Sequence, residues 1–244
     1  MVYFPYDTTR ARDEDLTNVL IRITRDSPPD SIGVVDTMGC ALPEAIKYIV
    51  KKVKNITRLP VEIHTHNDFG MAVATELAAV TAGAEVVHGC VNGLGERTGN
   101  AAVEELMVGL HILLGLETHY KLDRIGQLCK LVRDLSGFQP ANNKPVIGEG
   151  NYTRESGIGV DLVIKNPLAI FATAPQIFGR EGKVVLGKKS GKASITYTLE
   201  KLGIKNVSDE AVAEILQAVK ARGTEKRALL SIDEFREIIS RRLK

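Results

Sequence analysis

The amino-acid sequence predicts an α/β fold on a parallel sheet, and three observations carry that reading. Short apolar, β-branched runs alternate four times with amphipathic helical segments. Each run ends in polar or glycine-rich residues, and parallel α/β folds place their chemistry there, at the carboxyl ends of the strands. With 44% hydrophobic and 25% charged residues over 244 positions, the chain can bury a sizeable core, as one large domain or two smaller ones.

Val2 to Tyr6 reads as the first strand, ending in Asp7-Thr8-Thr9-Arg10, and Asp13 to Arg25 carries helical spacing through Leu16, Val19, Leu20 and Ile23. Ser31 to Val35 is the second strand, ending in Asp36-Thr37-Met38-Gly39, and Pro43 opens a helix through Ile46, Ile49, Val50 and Val53. Val61 to His66 with the helix Gly70 to Ala82 makes the third unit, and Glu85 to Val91 with the helix Ala101 to Leu114 the fourth. A further amphipathic helix spans Leu122 to Leu135. Phe138 to Gly150 is then rich in Asn, Pro and Gly, and the stretch to Lys192 reads as an extended linker that packs as it goes. Helices return over Ala193 to Leu202, Ser208 to Ala221 with Ser208 as N-cap, and Ile232 to Leu243.

Charge excludes two classes of partner. The 32 basic and 30 acidic residues leave a net charge of +2 spread along the chain, with no footprint for nucleic acid or a membrane surface. The basic end Arg241 to Lys244 is a solvated helix terminus. No signal peptide opens the sequence and no apolar run reaches membrane-spanning length. Cys40, Cys90 and Cys129 are widely spaced, which argues against a disulfide framework and for a reducing, cytoplasmic setting.

Chemistry concentrates between Val61 and Asn100. His64 and His66 lie two apart at the end of a strand and so share a face, a geometry that suits one metal ion; Asn67 and Asp68 could orient the rings. A His-x-His pair by itself is a weak signal, and two unliganded histidines fit it too. One βα unit later comes Gly93-Leu94-Gly95-Glu96-Arg97-Thr98-Gly99-Asn100. Its glycines fall as G-x-G-x-x-x-G, so it is not a dinucleotide fingerprint, and Gly187 to Lys192 is likewise no phosphate loop. Asn100 has two possible jobs, of which the plainer is to cap the helical run that it precedes.

The paired stretches Ile63-His64-Thr65-His66-Asn67-Asp68 and Gly93 to Asn100 resemble the motifs of the metal-dependent acyl-CoA Claisen-condensing enzymes: 2-isopropylmalate, homocitrate and citramalate synthases, related to 3-hydroxy-3-methylglutaryl-CoA lyase. The resemblance implies that the four βα units are the C-terminal half of a (β/α)8 barrel over residues 1–137, followed by a connector over 138–190 and a small helical subdomain over 191–244. It implies a divalent metal ion, Zn, Mn or Mg, on His64 and His66 with Asn100 as a nearby oxygen ligand. It further implies Thr37 as the residue that binds the oxo-acid carboxylate, and Glu96 and Arg97 as the catalytic pair. The substrates would be acetyl-CoA and a 2-oxo acid. An Asp ligand would come from the missing half barrel, supplied by another copy of the chain, by a second polypeptide or by the rest of a longer enzyme, because an isolated half exposes two strand edges and an apolar sheet face.

Three positions depart from the family pattern. Tyr6 stands where the synthases carry a carboxylate, with Asp7 one position off; Gly159 stands for a His, and Ile170 for a Tyr. The identity of the general base is therefore open. A lyase that cleaves a 3-hydroxyacyl-CoA and a non-catalytic assembly subunit are the alternatives, and retention of His64, His66, Glu96, Arg97 and Asn100 together favours the enzyme.

Overall fold

Parallel strands need crossover connections, and the alternation of strand and helix along the chain supplies one at each step. The result is a four-stranded parallel sheet in sequence order: β1 (Val2–Tyr3), β2 (Ser31–Asp36), β3 (Val61–Thr65) and β4 (Val86–Val87). This computed structural model describes residues 1–242, divided into two units, Met1–Ala141 with Pro145–Ile147 and Asn142–Lys144 with the chain from Gly148. In the first unit the strands are followed in turn by α1 (Asp13–Asp26), α2 (Pro43–Thr57), α3 (Ala72–Thr81) and α4 (Val103–Val108), and α5 (Ile125–Ser136) comes last.

Period two governs β3: Val61, Ile63 and Thr65 are buried, whereas Glu62 and His64 are only partly so. The buried side joins Ile32 and Val34 of β2 against Leu16 and Leu20 of α1 and Ile46, Val50 and Val53 of α2. The register pairs Gly33 with Glu62 and Val35 with His64, so these four share the other face. That face corrects the expectation of an apolar sheet surface. Its centre is polar: Ser31 Oγ donates to Glu62 Oε1 at 2.6 Å, and His88 Nε2 lies 2.9 Å from Glu62 Oε2. The Phe4 ring lies across Gly33, where a Cβ would come 2.5 Å from Phe4 Cδ1, and packs 5.3 Å from the His88 ring.

Several boundaries differ from the sequence reading, each for a local reason. β1 ends at Tyr3 rather than Tyr6. Pro5 has no N–H to donate, and Thr8 Oγ1 takes over as acceptor for the Val35 N–H at 3.1 Å while donating to Pro5 O at 2.8 Å. β4 is two residues long because the strands part after it and a side chain from α3 replaces the ladder. The fourth helix starts at Val103 with Ala102 as N-cap and widens into a π turn over Gly109–Leu113, so Asn100 does not cap it.

In the second unit β5 (Thr153–Arg154) pairs in parallel with β6 (Lys183–Val184), with α6 (Val160–Lys165) between them. The buried Tyr152 packs against Phe171 and Phe178, and the Arg180 guanidinium sits 5.4 Å from its ring centre. α7 (Lys192–Lys201), α8 (Asp209–Lys226) and α9 (Ile232–Ser240) enclose a core of Ile195, Leu199, Ile215, Val219 and Phe235. Ser208 caps α8 as expected, accepting from Ala211 N at 3.2 Å. The expected final helix reached Leu243; Leu243 and Lys244, part of the basic end, lie outside the described residues. Among those described, no disulfide joins the three cysteines and no helix is long and apolar enough to cross a membrane.

Candidate active site

His64 closes the polar face of β3, and His66 follows one residue past the strand, where its N–H donates to Asp36 O at 3.2 Å. The two rings stand nearly perpendicular, 86° apart in plane and 5.3 Å between centres. Burial, reinforced by the neighbouring His66 and His88, lowers the His64 pKa and favours the neutral imidazole, the form that ligates a cation. His66 Nδ1 is buried without a hydrogen-bond partner. Such an atom is costly to leave bare, so it marks a place for a further group.

Asn100 comes to the same point from the loop after β4. It forms an isolated bridge to His66, and its Nδ2 lies 3.3 Å from His64 Nε2 and 3.4 Å from Thr65 O. The loop's glycines permit this approach. A Cβ on Gly95 would fall 2.0 Å from Asn100 Oδ1, and one on Gly99, at φ +89°, 1.9 Å from Gly93 O. Two neutral imidazoles and one carboxamide are a donor set that a divalent transition cation accepts, and the orphaned His66 nitrogen fits such an ion. The set carries no negative charge. Among the described residues, no group of three or more His, Cys, Asp and Glu is placed to hold a metal.

Arg97 works as a strap between loops. Its Nε and Nη2 donate to the two Asp68 carboxylate oxygens, each at 2.9 Å, and Nη2 donates to Thr37 O at 2.6 Å. Asp68 thereby spends its carboxylate on Arg97, which lowers its pKa, and Asn67 Oδ1 accepts from Ala72 N at the start of α3. Neither orients a histidine ring, contrary to the expectation for these two residues. Glu96 projects into solvent with 81% of its side chain exposed, 3.8 Å from Arg97. The Thr37 hydroxyl accepts from Asp7 N at 2.8 Å and keeps its own hydrogen for another acceptor. The structure thus gathers His64, His66 and Asn100 at one point and ties Thr37 to Arg97, with Glu96 standing apart.

The departures are also placed. Tyr6 is 75% exposed, and the Asp7 carboxylate is held by Arg10. Gly159 and Ile170 are neighbours: a Cβ on Gly159 would lie 3.4 Å from Ile170 Cγ2. Sequence reasoning missed the Glu62–His88 pair and the buried Glu76 on α3. Both left a signal: Glu62 is two residues before His64 on the same strand, and Glu76 is the lone charge in the apolar run Ala72 to Thr81.

The HMGL-like family matches residues 1–132, and the homocitrate synthase post-HMGL domain-like family matches residues 146–227. The chain is 37% identical over 234 residues to a homocitrate synthase of Methanocaldococcus jannaschii, covering 96% of this chain and 57% of that protein. It is 37% identical over 220 residues to the 2-isopropylmalate synthase of the same organism (89% and 42% covered), and 39% identical over 194 residues to its (R)-citramalate synthase (80% and 39%). The chain spans about half the length of the relatives it matches. Among solved structures it is similar to an HMG-CoA lyase from Acinetobacter baumannii in complex with coenzyme A and 3-methylmalate, 21% identical with a TM-score of 0.43, covering 57% of this chain and 61% of that one.

Proposed function

The chain belongs to the HMGL-like family, and from that premise we propose that it is the histidine-bearing part of an acyltransferase that joins the acetyl group of acetyl-CoA to a 2-oxo acid. The observation that carries the proposal is the convergence of His64, His66 and Asn100, with the Arg97 strap beside it. His64 and His66 would hold a divalent cation with the Asn100 carboxamide next to them. When bound, the cation supplies positive charge against which the oxygens of the oxo acid can lie. An anionic ligand would come from a complementary half barrel, in another copy of the chain, in another polypeptide or in the remainder of a longer one, with residues 1–137 as the half that bears the histidines.

The chain's own residues supply orientation. Thr37 donates its free hydroxyl hydrogen to the oxo-acid carboxylate while the Asp7 N–H fixes the oxygen. Arg97 keeps the loops after β2, β3 and β4 at a set separation, so that Thr37 and the histidines face one substrate. Glu96, exposed on its loop beside Arg97, would reach the acyl group from solvent, with the general base left unassigned. The near-equal identity to three synthases of one organism names no particular 2-oxo acid.

Thiol release from acetyl-CoA tests the reading, with the protein supplied with its complementary half and offered pyruvate, 2-oxoisovalerate, oxaloacetate or 2-oxoglutarate. CoA should appear only when an oxo acid is present. Glu96→Gln should lower kcat more than it raises KM, the mark of an interaction made in the transition state. Cleavage of a 3-hydroxyacyl-CoA with no condensation would replace the synthase by a lyase. Neither reaction, in a folded and cation-loaded protein, would leave an assembly role.

A further inference from the structure

Thr65 lies between the two histidines, and its backbone N–H points to the side from which β4 has already departed. The β3–β4 ladder ends with Val87 opposite Ile63 and the His88 N–H on Ile63 O at 3.0 Å. Past that point Glu76 of α3 takes the strand's place. Its Oε1 accepts from Thr65 N at 3.0 Å and lies 3.1 Å from Thr65 Oγ1, and its Oε2 accepts from His88 N at 3.0 Å. Glu76 and Thr65 are both fully buried. The Thr65 carbonyl in turn accepts from Ala101 N at 3.4 Å and faces Asn100 Nδ2 at the same distance.

We propose that Glu76 is a positioning residue for the candidate cation-binding limb: through Thr65 it fixes the backbone between His64 and His66 and the carbonyl against which Asn100 rests. Glu76 Oε1 is the acceptor of the Thr65 N–H, and a buried amide left without one is costly. The hydrogen bonds also close chemically around a neutral carboxyl. Burial pushes the Glu76 pKa up to about 9, so the group carries a proton at neutral pH. That proton can sit on Oε1 and point to Thr65 Oγ1, which passes its own hydrogen to Ala72 O at 3.2 Å. The other titratable side chains on β3 and at the end of β4, Glu62, His64 and His88, project from the opposite face of the sheet and pair among themselves there. On α3 Glu76 is the single charged residue. A lone acid in an apolar helix is thereby given a task that reaches the site without touching it.

The meaning for function rests on His64 and His66 being the cation ligands, so the test is made without any cation. Backbone amide exchange and the imidazole resonances of the full chain are compared for wild type, Glu76→Ala and Glu76→Gln. In Glu76→Ala the Thr65 amide should exchange about tenfold faster or more. The His64 and His66 ring signals should move while those of the distant His111 and His119 stay put. Glu76→Gln should restore both readouts, because its carbonyl can accept from Thr65 N and the His88 N–H keeps Ile63 O. If Glu76→Ala does not fold, Glu76→Ser carries the comparison, since its smaller side chain cannot span to Thr65 and leaves room for water. A folded Ala or Ser variant with wild-type Thr65 exchange and unmoved His64 and His66 signals overturns the proposal. A failure to bind cation in a separate titration with the complementary half supplied would instead overturn the ligand reading and leave the clamp intact.

Discussion

A single proton on Glu76 has a thermodynamic consequence as well as a geometric one. In the unfolded chain a glutamate loses its proton near pH 4.5, whereas in the fold it holds it to about 9. Between those values the native state binds one proton more at this residue than the unfolded state, so the contribution of Glu76 to stability is fully present below pH 4.5 and declines as pH rises through the window. The slope from this residue is at most about 1.4 kcal/mol per pH unit. Thermal melts from pH 5 to pH 9 should show wild type losing ground steadily to Glu76→Gln, which has no proton to lose; parallel curves would mean that the buried carboxyl is already ionised. Residue by residue, the site was legible where chemistry follows from spacing. His64 and His66 declare themselves by period two, and the Gly93-to-Asn100 loop by its glycines. What spacing cannot show is a partner remote in sequence. Asp68 pairs with Arg97 across 29 positions and Arg97 reaches Thr37 across 60, so the strap emerged only from the fold. The Asn100 capping reading failed for a similar reason: the loop's path carries its side chain back to His64 instead of forward to a helix.

Elements were legible in kind and order, and less so in extent. All four strands of the first unit and the helices after them lie where apolar periodicity put them, because each buries one stripe or one face. Extent is set by who completes the hydrogen bonding at each end, and there the sequence is mute. β1 stops where Pro5 cannot donate and Thr8 substitutes for a strand neighbour. Thr8→Val keeps the volume but removes both bonds and leaves the buried Val35 N–H without its acceptor. The expected loss is about 1–3 kcal/mol in urea unfolding. An unchanged midpoint would show that the end of β1 is held by packing alone. The second unit was the least legible stretch. Its connector looked like linker because Gly, Pro and Asn interrupt every run, yet Tyr152, Phe171 and Phe178 build an aromatic centre that no periodic pattern announces.

At the scale of the molecule the decisive quantity is charge at the histidine pair. On the proposed reading His64 and His66 are the ligands and Asn100 adds a neutral oxygen or nitrogen, while among the described residues no carboxylate or thiolate joins them to make a third ionisable donor. Of the two nearest acids in sequence, Asp68 is committed to Arg97 and Glu62 to Ser31 and His88, and Cys90, whose Sγ is 3.7 Å from Asn100 Oδ1, has its thiol pKa raised by burial. Neutral donors alone offer a dication little return for its lost water, since the attraction that offsets desolvation comes from opposite charge. The chain alone should therefore bind Zn²⁺, Mn²⁺ or Mg²⁺ weakly in calorimetric titration, with Zn²⁺ ahead because imidazole suits it best. His64→Ala should abolish what binding there is, and a complementary half that brings a carboxylate should strengthen it for all three ions. The pH dependence follows from the lowered His64 pKa: binding persists to a lower pH than at an ordinary histidine pair, because the ring resists the proton that would displace the cation. Tight stoichiometric binding by the isolated chain that survives His64→Ala would remove His64 from the site and, with it, the reason for reading the polar sheet face as catalytic.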